Sequence, residues 1–494
     1  MSRSSRILFS TMLGLNHEKR LVKISDREKM RKELETGTKN GGHILVVPYP
    51  SQGHINPMLQ FSKRLISKGL KITLAITVHV SKTTNTKFHG PIAIETISDG
   101  FDDGGSMEAG GPSVYVQRFK TVGSETLTQL IEKLETSGNP VSCVVYDPFI
   151  PWVLDVTKKL GLIGAAFFTQ SCIVGAIYYS VQKGLVKAPI PADQAFSVPG
   201  LPPLSASDLP SFVAGVGPYP FLLDYLANQF ANIHKTDWVL FSTFDKLESE
   251  VLNWMSKLWR VRGIGPTLPS MYLEKGIEDD KDYGFHIFEP KRAECINWLN
   301  TKKSKSVIYV SFGSISIVKQ QQIEEIALAL LECKHNFLWV VREAEECKIP
   351  SKFLEEITPE KGLIIRWCPQ LEVLSHPAVG CFVTHCGFNS TLEGLSLGVP
   401  MIALPQWTDQ PMNAKCIEDL WGVGMRPKVD EEGIFRKKEI GLCISEIMEG
   451  EKGKEIKENA SKWKELAKEA VDEGGSSDRN IEEFVAQVTS FATH

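Results

Sequence analysis

Short, almost continuously apolar runs alternate with amphipathic stretches along most of the chain. In the first half these runs are HILVVPY (43–49), KITLAIT (71–77), IAIETI (92–97), VSCVVYD (141–147), GAAFFT (164–169) and DWVLFS (237–242). The stretch INPMLQFSKRLISKG (55–69) between the first two has apolar residues at helical spacing and ends at a glycine. Runs that are apolar throughout predict strands buried on both faces. We therefore predict an α/β fold with a parallel sheet between two layers of helices.

The same pattern starts again after residue 290. Its apolar runs are SVIYVSFG (306–313), NFLWVVR (336–342), GLIIRW (362–367), VGCFVTH (379–385) and MIALP (401–405). The residues between the two blocks show no regular spacing of apolar positions. We therefore predict two doubly wound, Rossmann-like domains. The chain then divides into a charged extension (1–41), a first domain (42–265), a linker (266–290), a second domain (291–475) and a C-terminal helix (476–494) that packs back on the first domain.

The charged residues are nearly balanced, with 55 Lys and Arg against 59 Asp and Glu. This balance argues against a broad cationic surface for nucleic acid or an anionic membrane, and it favours a small-molecule partner. The ten cysteines include no CxxC pair, which is typical of reduced thiols in a cytoplasmic protein. We expect a cytoplasmic monomer.

Two segments suggest other classes of protein. The uncharged stretch 161–181 is long enough to cross a membrane, but its polar centre fits a strand followed by a helix capped at Ser171 better. We therefore expect no stable membrane insertion. Cys381, His385 and Cys386 are close in sequence, yet strand alternation places the two cysteines on opposite faces of a sheet, so we expect no metal site.

The string THCGFNSTLEG (384–394) follows the apolar run that ends at His385. Gly387 permits a tight turn, and Asn389, Ser390 and the following threonine are residues that favour a helix start. The N-terminus of a helix presents free backbone N–H groups and the positive end of the helix dipole, so it favours a phosphate. Glu393, one turn further, suits the neutral hydroxyls of a ribose. Together these residues predict a site for a nucleoside diphosphate.

The surrounding residues 367–410 closely resemble the forty-four-residue signature of plant family-1 UDP-sugar glycosyltransferases. The likeness extends over almost all of 43–490 and includes GHINP (53–57), SFGS (311–314) and AKEAVDEGGSSDRNIEEF (467–484). The resemblance implies the GT-B fold, in which two Rossmann-like domains face a central cleft. It also implies transfer of a sugar, with UDP-glucose as a co-substrate and no further cofactor.

The resemblance implies a role for each residue of a donor site. Trp367 would stack on uracil, while the backbone at Cys368 and the side chain of Gln370 would meet the edge of the base. Glu393 would hold the ribose. The diphosphate would be held by Ser314, His385, Asn389 and Ser390, and the sugar by Asp409 and Gln410. Gly387 belongs to the same donor-binding segment. Phe388 departs from the pattern, because the family usually has tryptophan beside the sugar.

The resemblance also implies a catalytic pair. His54 in GHINP would act as the general base that takes the proton from the acceptor as its oxygen attacks the anomeric carbon. Asp147 would orient the imidazole and stabilise the imidazolium. Both follow predicted strands, so both lie at the same edge of the sheet. The reaction is then a single displacement with inversion.

The acceptor and two rival interpretations stay open at this point. The motifs PSQGHINP, TQSC and FSTFDKLE are most similar to the branch that glucosylates small carboxylic acids and some terpenoids, so either a hydroxyl or a carboxyl group of a small hydrophobic acceptor is expected. YSVQK (179–183) has the YxxxK spacing of short-chain dehydrogenases, but the first strand lacks their glycine-rich turn. A catalytically silent protein that binds a UDP-sugar or a metabolite is the alternative from a different class.

Overall fold

The computed structural model describes residues 41–84, 91–191, 195–198, 201, 203–217 and 221–493. Apart from Gly41, the predicted extension 1–41 lies outside these residues. Thirteen strands occur in the described chain. They are β1 His43–Val47, β2 Lys71–Thr77, β3 Ala93–Ile97, β4 Cys143–Tyr146, β5 Ile163–Phe168, β6 Trp238–Phe241, β7 Val261–Gly263, β8 Val307–Ser311, β9 Asn336–Val340, β10 Gly362–Ile365, β11 Val379–Thr384, β12 Met401–Ala403 and β13 Gly424–Met425.

Helices separate most of these strands. In the first half they are α1 Gln52–Ser67, α2 Val78–Thr83, α3 Pro112–Thr136, α4 Trp152–Lys159, α5 Cys172–Gln182, α6 Phe221–Ala227 and α7 Ser249–Met255. In the second half they are α8 Arg292–Asn300, α9 Gln320–Glu332, α10 Ser351–Glu356, α11 Gln370–Ser375, α12 Phe388–Leu397, α13 Gln410–Lys415, α14 Lys437–Glu449, α15 Glu451–Val471 and α16 Ser476–Ala492.

The strands form two sheets in which every pairing is parallel. The first has the order β3-β2-β1-β4-β5-β6-β7, and the second has the order β10-β9-β8-β11-β12-β13. In each sheet the direction of winding reverses once, between β1 and β4 and between β8 and β11. Ligands of open α/β sheets bind in the crevice at such a reversal, beyond the carboxyl ends of the strands. The predicted two-domain α/β architecture is confirmed.

Each sheet is covered on both faces by apolar side chains. One face of the first sheet packs Leu45 and Val47 against helices α3 to α7, and the other packs Ile44 and Val46 against α1. This arrangement explains why the strands are apolar at every position. The polar side chains of a site are therefore expected mainly beyond the strand ends, in the loops and in the first turns of the helices that follow.

The C-terminal helix α16 belongs to the core of the first domain, although it follows the second domain in sequence. Ile481, Phe484 and Val488 are buried in the same cluster as Ile44. The Ser477 hydroxyl donates to the Gly265 carbonyl, and the helix thereby closes over the end of the first sheet. The chain crosses between the domains twice, after β7 and before α16.

Several elements differ from the sequence-based expectations. The 25-residue helix α3 and the short strands β7 and β13 had no predicted counterpart. Strands of two or three residues carry too few apolar positions to show a period. The uncharged stretch 161–181 forms strand β5 and helix α5, and the Ser171 side chain accepts from the Val174 N–H as predicted. Within the described residues, no helix is long and apolar enough to cross a membrane.

Candidate active site

A cleft of about 460 Å³ lies between the carboxyl ends of the two sheets. Every predicted site residue except Asp147 lines this cleft. Asp147 lies directly behind His54, at the end of β4. Because β1 and β4 are neighbours at the reversal of the first sheet, the loops that follow them are adjacent, and both domains contribute side chains to one site.

His54 and Asp147 form a hydrogen-bonded pair. The distance between His54 Nδ1 and Asp147 Oδ2 is 2.6 Å, and the second carboxylate oxygen accepts from the Phe149 N–H at 2.9 Å. The histidine side chain is 15% exposed and the aspartate side chain 1%. Thr169 Oγ1 lies 3.2 Å from the same imidazole nitrogen. Since Nδ1 faces Asp147, Nε2 is the nitrogen left for a substrate.

Aromatic rings fix the orientation of the His54 imidazole. The Phe149 ring packs edge-on against it at 4.5 Å between centroids, and the Tyr49 ring lies 5.3 Å away. The Tyr225 hydroxyl donates to the Phe149 carbonyl at 2.6 Å and holds that loop in place. The predicted catalytic pair therefore lies in a largely apolar, preorganised setting.

The helix α12 begins at Phe388, so the expectation that Asn389 to Thr391 start the helix was wrong by one residue. Gly387 is the residue before the helix, and no side chain caps the first turn. The turn is made by Cys386, with a φ of 66°, whereas Gly387 has an ordinary φ of −59°. A glycine is needed at 387 for space, because a Cβ there would lie 2.6 Å from His385 Nε2.

The uncapped end of α12 reaches the first domain. The Asn389 side-chain amide donates to the Gly53 carbonyl at 2.7 Å, one residue before His54. Asn389 thus joins the start of α12 to the first turn of α1, which carries the predicted base, instead of presenting its amide freely to a phosphate. This contact brings the two predicted parts of the site together across the cleft.

His385 lies at the end of β11 and is buried. Burial lowers the pKa of His385 to about 4, so its imidazole is neutral near pH 7. Its Nδ1 atom has no hydrogen-bond partner among the described residues. Gly313, with a φ of 70°, passes so close that a Cβ would lie 2.7 Å from the ring. Ser314 lines the cleft beside it, and its carbonyl accepts from Arg342 at 2.7 Å.

Glu393 is the centre of a buried hydrogen-bond network. It accepts from the Tyr283 hydroxyl at 2.8 Å and from Gln370 Nε2 at 2.6 Å. The same Gln370 nitrogen donates to Ser390 Oγ at 2.9 Å, and Gln370 Oε1 accepts from the Tyr309 hydroxyl at 2.9 Å. Burial raises the pKa of Glu393 to about 7, although the hydrogen bonds from Gln370 and Tyr283 act to lower it.

The predicted base platform lies at the outer end of this network. The Trp367 ring is partly exposed in the cleft, and the Phe288 ring packs on it at 5.0 Å in a tilted arrangement. Cys368 is buried, with its sulfur 3.2 Å from the Tyr309 hydroxyl. Its side chain therefore belongs to the core, and only its backbone is available to a ligand.

Asp409 and Gln410 stand at the start of α13. The Asp409 carboxylate accepts from Thr408 and Asn413, each at 2.7 Å, and burial raises its pKa. The Gln410 side-chain carbonyl accepts from the backbone N–H of Gln406 at 2.8 Å, so it stabilises its own loop. Its Nε2 contacts Ser316 Oγ at 3.4 Å and is the part of the side chain available to a sugar.

Neither the cysteines near His385 nor the YxxxK motif at Tyr179 contributes to the cleft as a metal or dehydrogenase site. Cys381 packs on one face of the second sheet and Cys386 on the other, and the described part of the chain contains no group of three or more potential metal ligands. Tyr179 packs against Trp259 at 4.8 Å between ring centroids and does not line the cleft. The YxxxK spacing therefore does not mark this site.

Comparison with known proteins decides the family. The UDP-glucoronosyl and UDP-glucosyl transferase family matches residues 42–468. The chain belongs to this UDP-glycosyltransferase family. The resemblance to plant family-1 enzymes and the expectation of a UDP-glucosyltransferase are thereby confirmed.

Individual relatives of this UDP-glycosyltransferase agree with the match. UDP-glycosyltransferase 74E1 of Arabidopsis thaliana is 51% identical over 91% of this chain and 99% of its own length. Flavonol 7-O-beta-glucosyltransferase UGT74F1 of the same plant is 48% identical over 91% and 99%. The crystal structure of Os79 from O. sativa in complex with UDP aligns with a TM-score of 0.86 and 39% identity, over 90% of this chain and all of that one. These similarities confirm the GT-B fold.

Several residues that line the cleft were not assigned in the sequence analysis, among them three whose side chains lie within hydrogen-bond distance of assigned residues. Tyr283 comes from the linker, Tyr309 from β8 and Thr169 from the end of β5. Tyr309 lies in an apolar run, where it looks like an ordinary core residue. Tyr283 lies in a stretch without a period, so no sequence signal connected it with Glu393.

Proposed function

We propose that the enzyme transfers glucose from UDP-glucose to a hydroxyl or carboxyl group of a small, largely apolar plant metabolite, with inversion at the anomeric carbon. The observation that supports this most directly is the bond between Asn389 and Gly53, which sets the open helix end of the donor site beside His54. A phosphate site and a base in one cleft are what a glycosyl transfer requires.

The donor half of the cleft suits a UDP-sugar. The uncapped start of α12 offers backbone N–H groups and a positive dipole end to the diphosphate. Ser390, Ser314 and the neutral His385 add donors around it. The ribose hydroxyls would take the place of the Tyr283 hydroxyl on Glu393, and uracil would stack on Trp367.

The reaction follows from these positions. His54 Nε2 accepts the proton of the acceptor hydroxyl while its oxygen attacks the anomeric carbon, and the bond from that carbon to UDP breaks. Asp147 holds the imidazole in the required tautomer and stabilises the imidazolium that forms. The helix end and the neighbouring donors stabilise the charge on UDP as it leaves. No cofactor is part of this proposal.

Glucose is the proposed sugar. Asp409 and the Gln410 amide nitrogen line the cleft and provide an acceptor and a donor for sugar hydroxyls. The names of the relatives, one of them a flavonol 7-O-beta-glucosyltransferase, support the same sugar. Phe388 is buried at the start of α12 and supplies an apolar wall beside this position.

One experiment separates the proposal from a silent binding protein. Purified enzyme is incubated with UDP-glucose and a panel of phenols, carboxylic acids and terpenoid alcohols, with UDP-galactose, UDP-xylose and UDP-glucuronate as competing donors. We expect acceptor-dependent release of UDP and a β-linked glucoside from the α-linked donor by NMR. UDP binding without any glycoside would favour the silent binding protein, and an α-linked product would contradict inversion.

A further inference from the structure

On the first-domain side of the cleft, four buried polar atoms of lining residues have no hydrogen-bond partner among the described residues: Ser51 Oγ, Asn56 Oδ1, Gln170 Nε2 and the Tyr178 hydroxyl. The last two belong to the segment that follows β5 and are hydrogen-bond donors. The two residues are 8% and 1% exposed, and both line the cleft. Buried polar groups in folded proteins nearly always have a partner. The unpaired Gln170 and Tyr178 groups therefore indicate that an atom of the bound ligand completes their hydrogen bonds.

Both residues follow β5, at the same edge of the first sheet as His54, and Tyr178 also lies close enough to Asp409 for that carboxylate to add to the rise that burial causes in its pKa. Gln170 directly follows Thr169, whose hydroxyl lies 3.2 Å from the His54 imidazole. Tyr178 lies about two turns into α5, the helix that Ser171 caps. Burial raises the pKa of Tyr178, so its hydroxyl keeps the proton and can donate. An amide nitrogen is a donor only, so the missing partner is a hydrogen-bond acceptor.

The surroundings indicate that this partner is neutral. The rest of the wall is aromatic or aliphatic and includes Phe149, Phe212 and Leu222. Among the described residues that line the cleft, Lys281 is the only Lys or Arg, and it belongs to the linker beside Tyr283 on the donor side. A carboxylate buried on this wall would lack a cation, which is unfavourable.

We propose that Gln170 and Tyr178 determine acceptor specificity by donating hydrogen bonds to a second, neutral oxygen of the acceptor. The acceptor is then an apolar or aromatic molecule that presents one hydroxyl to His54 and carries a further carbonyl, ether or hydroxyl oxygen. This inference rests on the proposed function, because it assumes that the acceptor binds beside His54. It concerns recognition, however, and can be measured without turnover.

The kinetic test compares matched acceptors. The three hydroxyacetophenones carry a carbonyl oxygen where the three isopropylphenols, of nearly the same shape, carry a methyl group. We expect Gln170→Met and Tyr178→Phe each to lower kcat/KM for the best hydroxyacetophenone roughly tenfold and to change it less than about twofold for the matched isopropylphenol. The control is Tyr179→Phe, because Tyr179 is a neighbour outside the cleft. This substitution should leave kcat/KM unchanged for both acceptors. Equal losses for both acceptors, or no loss, would overturn the assignment.

The hydroxybenzoates test whether the recognised oxygen is neutral. We expect the wild-type enzyme to use them less well than the hydroxyacetophenones. A larger effect of both substitutions on the hydroxybenzoates than on the ketones would show that the pair binds a carboxylate, and it would overturn the neutral assignment.

Binding measurements keep this test independent of catalysis. Calorimetric titration of the UDP-loaded enzyme with the same hydroxyacetophenone should give a Kd roughly tenfold higher for each variant than for the wild type. That difference without any glucoside would support the assignment while contradicting the proposed function. Unchanged Kd values would overturn the assignment.

Stability distinguishes recognition from a structural role. Tyr178→Phe removes a hydroxyl that has no partner, so the Tm of the unliganded enzyme should stay the same or rise. A clear decrease would show that the hydroxyl stabilises the fold instead. It would count against a role in acceptor binding.

Discussion

The two walls of the cleft are built differently. On the donor wall, Gln370, Ser390 and Glu393 already hydrogen-bond one another and the linker residue Tyr283. On the acceptor wall, aromatic rings surround the His54–Asp147 pair, while the polar atoms of Gln170 and Tyr178 have no partner. A preorganised polar wall suits a ligand of fixed chemistry, whereas an apolar wall with a few polar atoms selects among ligands of varied shape.

From this difference we expect the two domains to have separate tasks. Changes on the acceptor wall near His54 should lower the rate and leave UDP binding intact. Changes on the donor wall should weaken binding of the UDP-sugar for every acceptor alike.

The largest effect is expected from His54→Ala. Because this change removes the proposed general base, kcat with hydroxyl acceptors should fall by about 10²- to 10⁴-fold. The fall should be smaller with carboxylic acids, which are already ionised near pH 7. Steady-state kinetics with one phenol and one benzoic acid measure both effects, and the exposed His234→Ala serves as the control. Equal losses with both acceptors would contradict the assignment of His54 as a base.

A somewhat smaller loss is expected from Asp147→Asn. The amide keeps the size of the side chain but cannot stabilise the imidazolium, so kcat should fall roughly 10²-fold. The Kd for UDP, measured by calorimetry, should stay unchanged, because Asp147 does not line the cleft. Weaker UDP binding with a normal kcat would place Asp147 on the donor side and would contradict its role as the partner of His54.

Glu393→Gln tests the donor wall. An amide is a poorer partner than a carboxylate for two ribose hydroxyls, so KM for UDP-glucose should rise by about 10- to 100-fold with every acceptor. A rise in this KM that differs between acceptors would contradict a role of Glu393 in binding the donor alone. Ser396→Ala, a substitution at a buried residue of the same helix that does not line the cleft, is the matched control.

The pH dependence of KM sharpens the same prediction. Burial raises the pKa of Glu393 to about 7, so the carboxyl is protonated below that pH and ionised above it. The ionised form accepts the ribose hydroxyls, and KM for UDP-glucose should therefore rise as the pH falls from about 8 to about 6. Glu393→Gln should flatten this profile. A steeper or unchanged profile in the variant would assign the titration to another group.

The smallest effect is expected from Phe388→Trp. A larger ring with an N–H donor beside the sugar should change the ratio of kcat/KM between UDP-glucose and the other UDP-sugars by a few-fold. Competition between donors measures this ratio directly. Identical ratios in the two enzymes would show that position 388 does not influence the choice of sugar.

The donor wall was easier to predict from the sequence than the acceptor wall. Its residues from Trp367 to Gln410 lie within one continuous stretch, and the strand–turn–helix pattern around His385 is itself a signal for phosphate. The acceptor wall combines the ends of β1, β4 and β5 with helix α5 and loops far apart in sequence. Only the reversal in strand order brings His54 and Asp147 together, and a single sequence does not give the strand order.

Individual contacts escaped prediction for a different reason. Asn389 was expected to meet a phosphate, but its amide donates to Gly53, and Gln410 uses its carbonyl on its own loop. Short side-chain amides can bond to a ligand or to nearby backbone, and spacing does not distinguish the two. The Tyr283–Glu393 bond joins the linker to the second domain, and only the tertiary fold brings the two residues together. Location in the cytoplasm, the monomeric state and the role of residues 1–41 stay predictions.

In the proposed enzyme, the start of α12 holds the diphosphate while His54 faces it across the cleft. A crystal structure of the enzyme with UDP tests this most directly. We expect the β-phosphate at about 3 Å from the backbone N–H groups of Asn389 or Ser390, the ribose on Glu393 in place of Tyr283, and the cleft between this phosphate and His54 Nε2 open for a sugar. UDP bound elsewhere, with Tyr283 still on Glu393, would contradict the account.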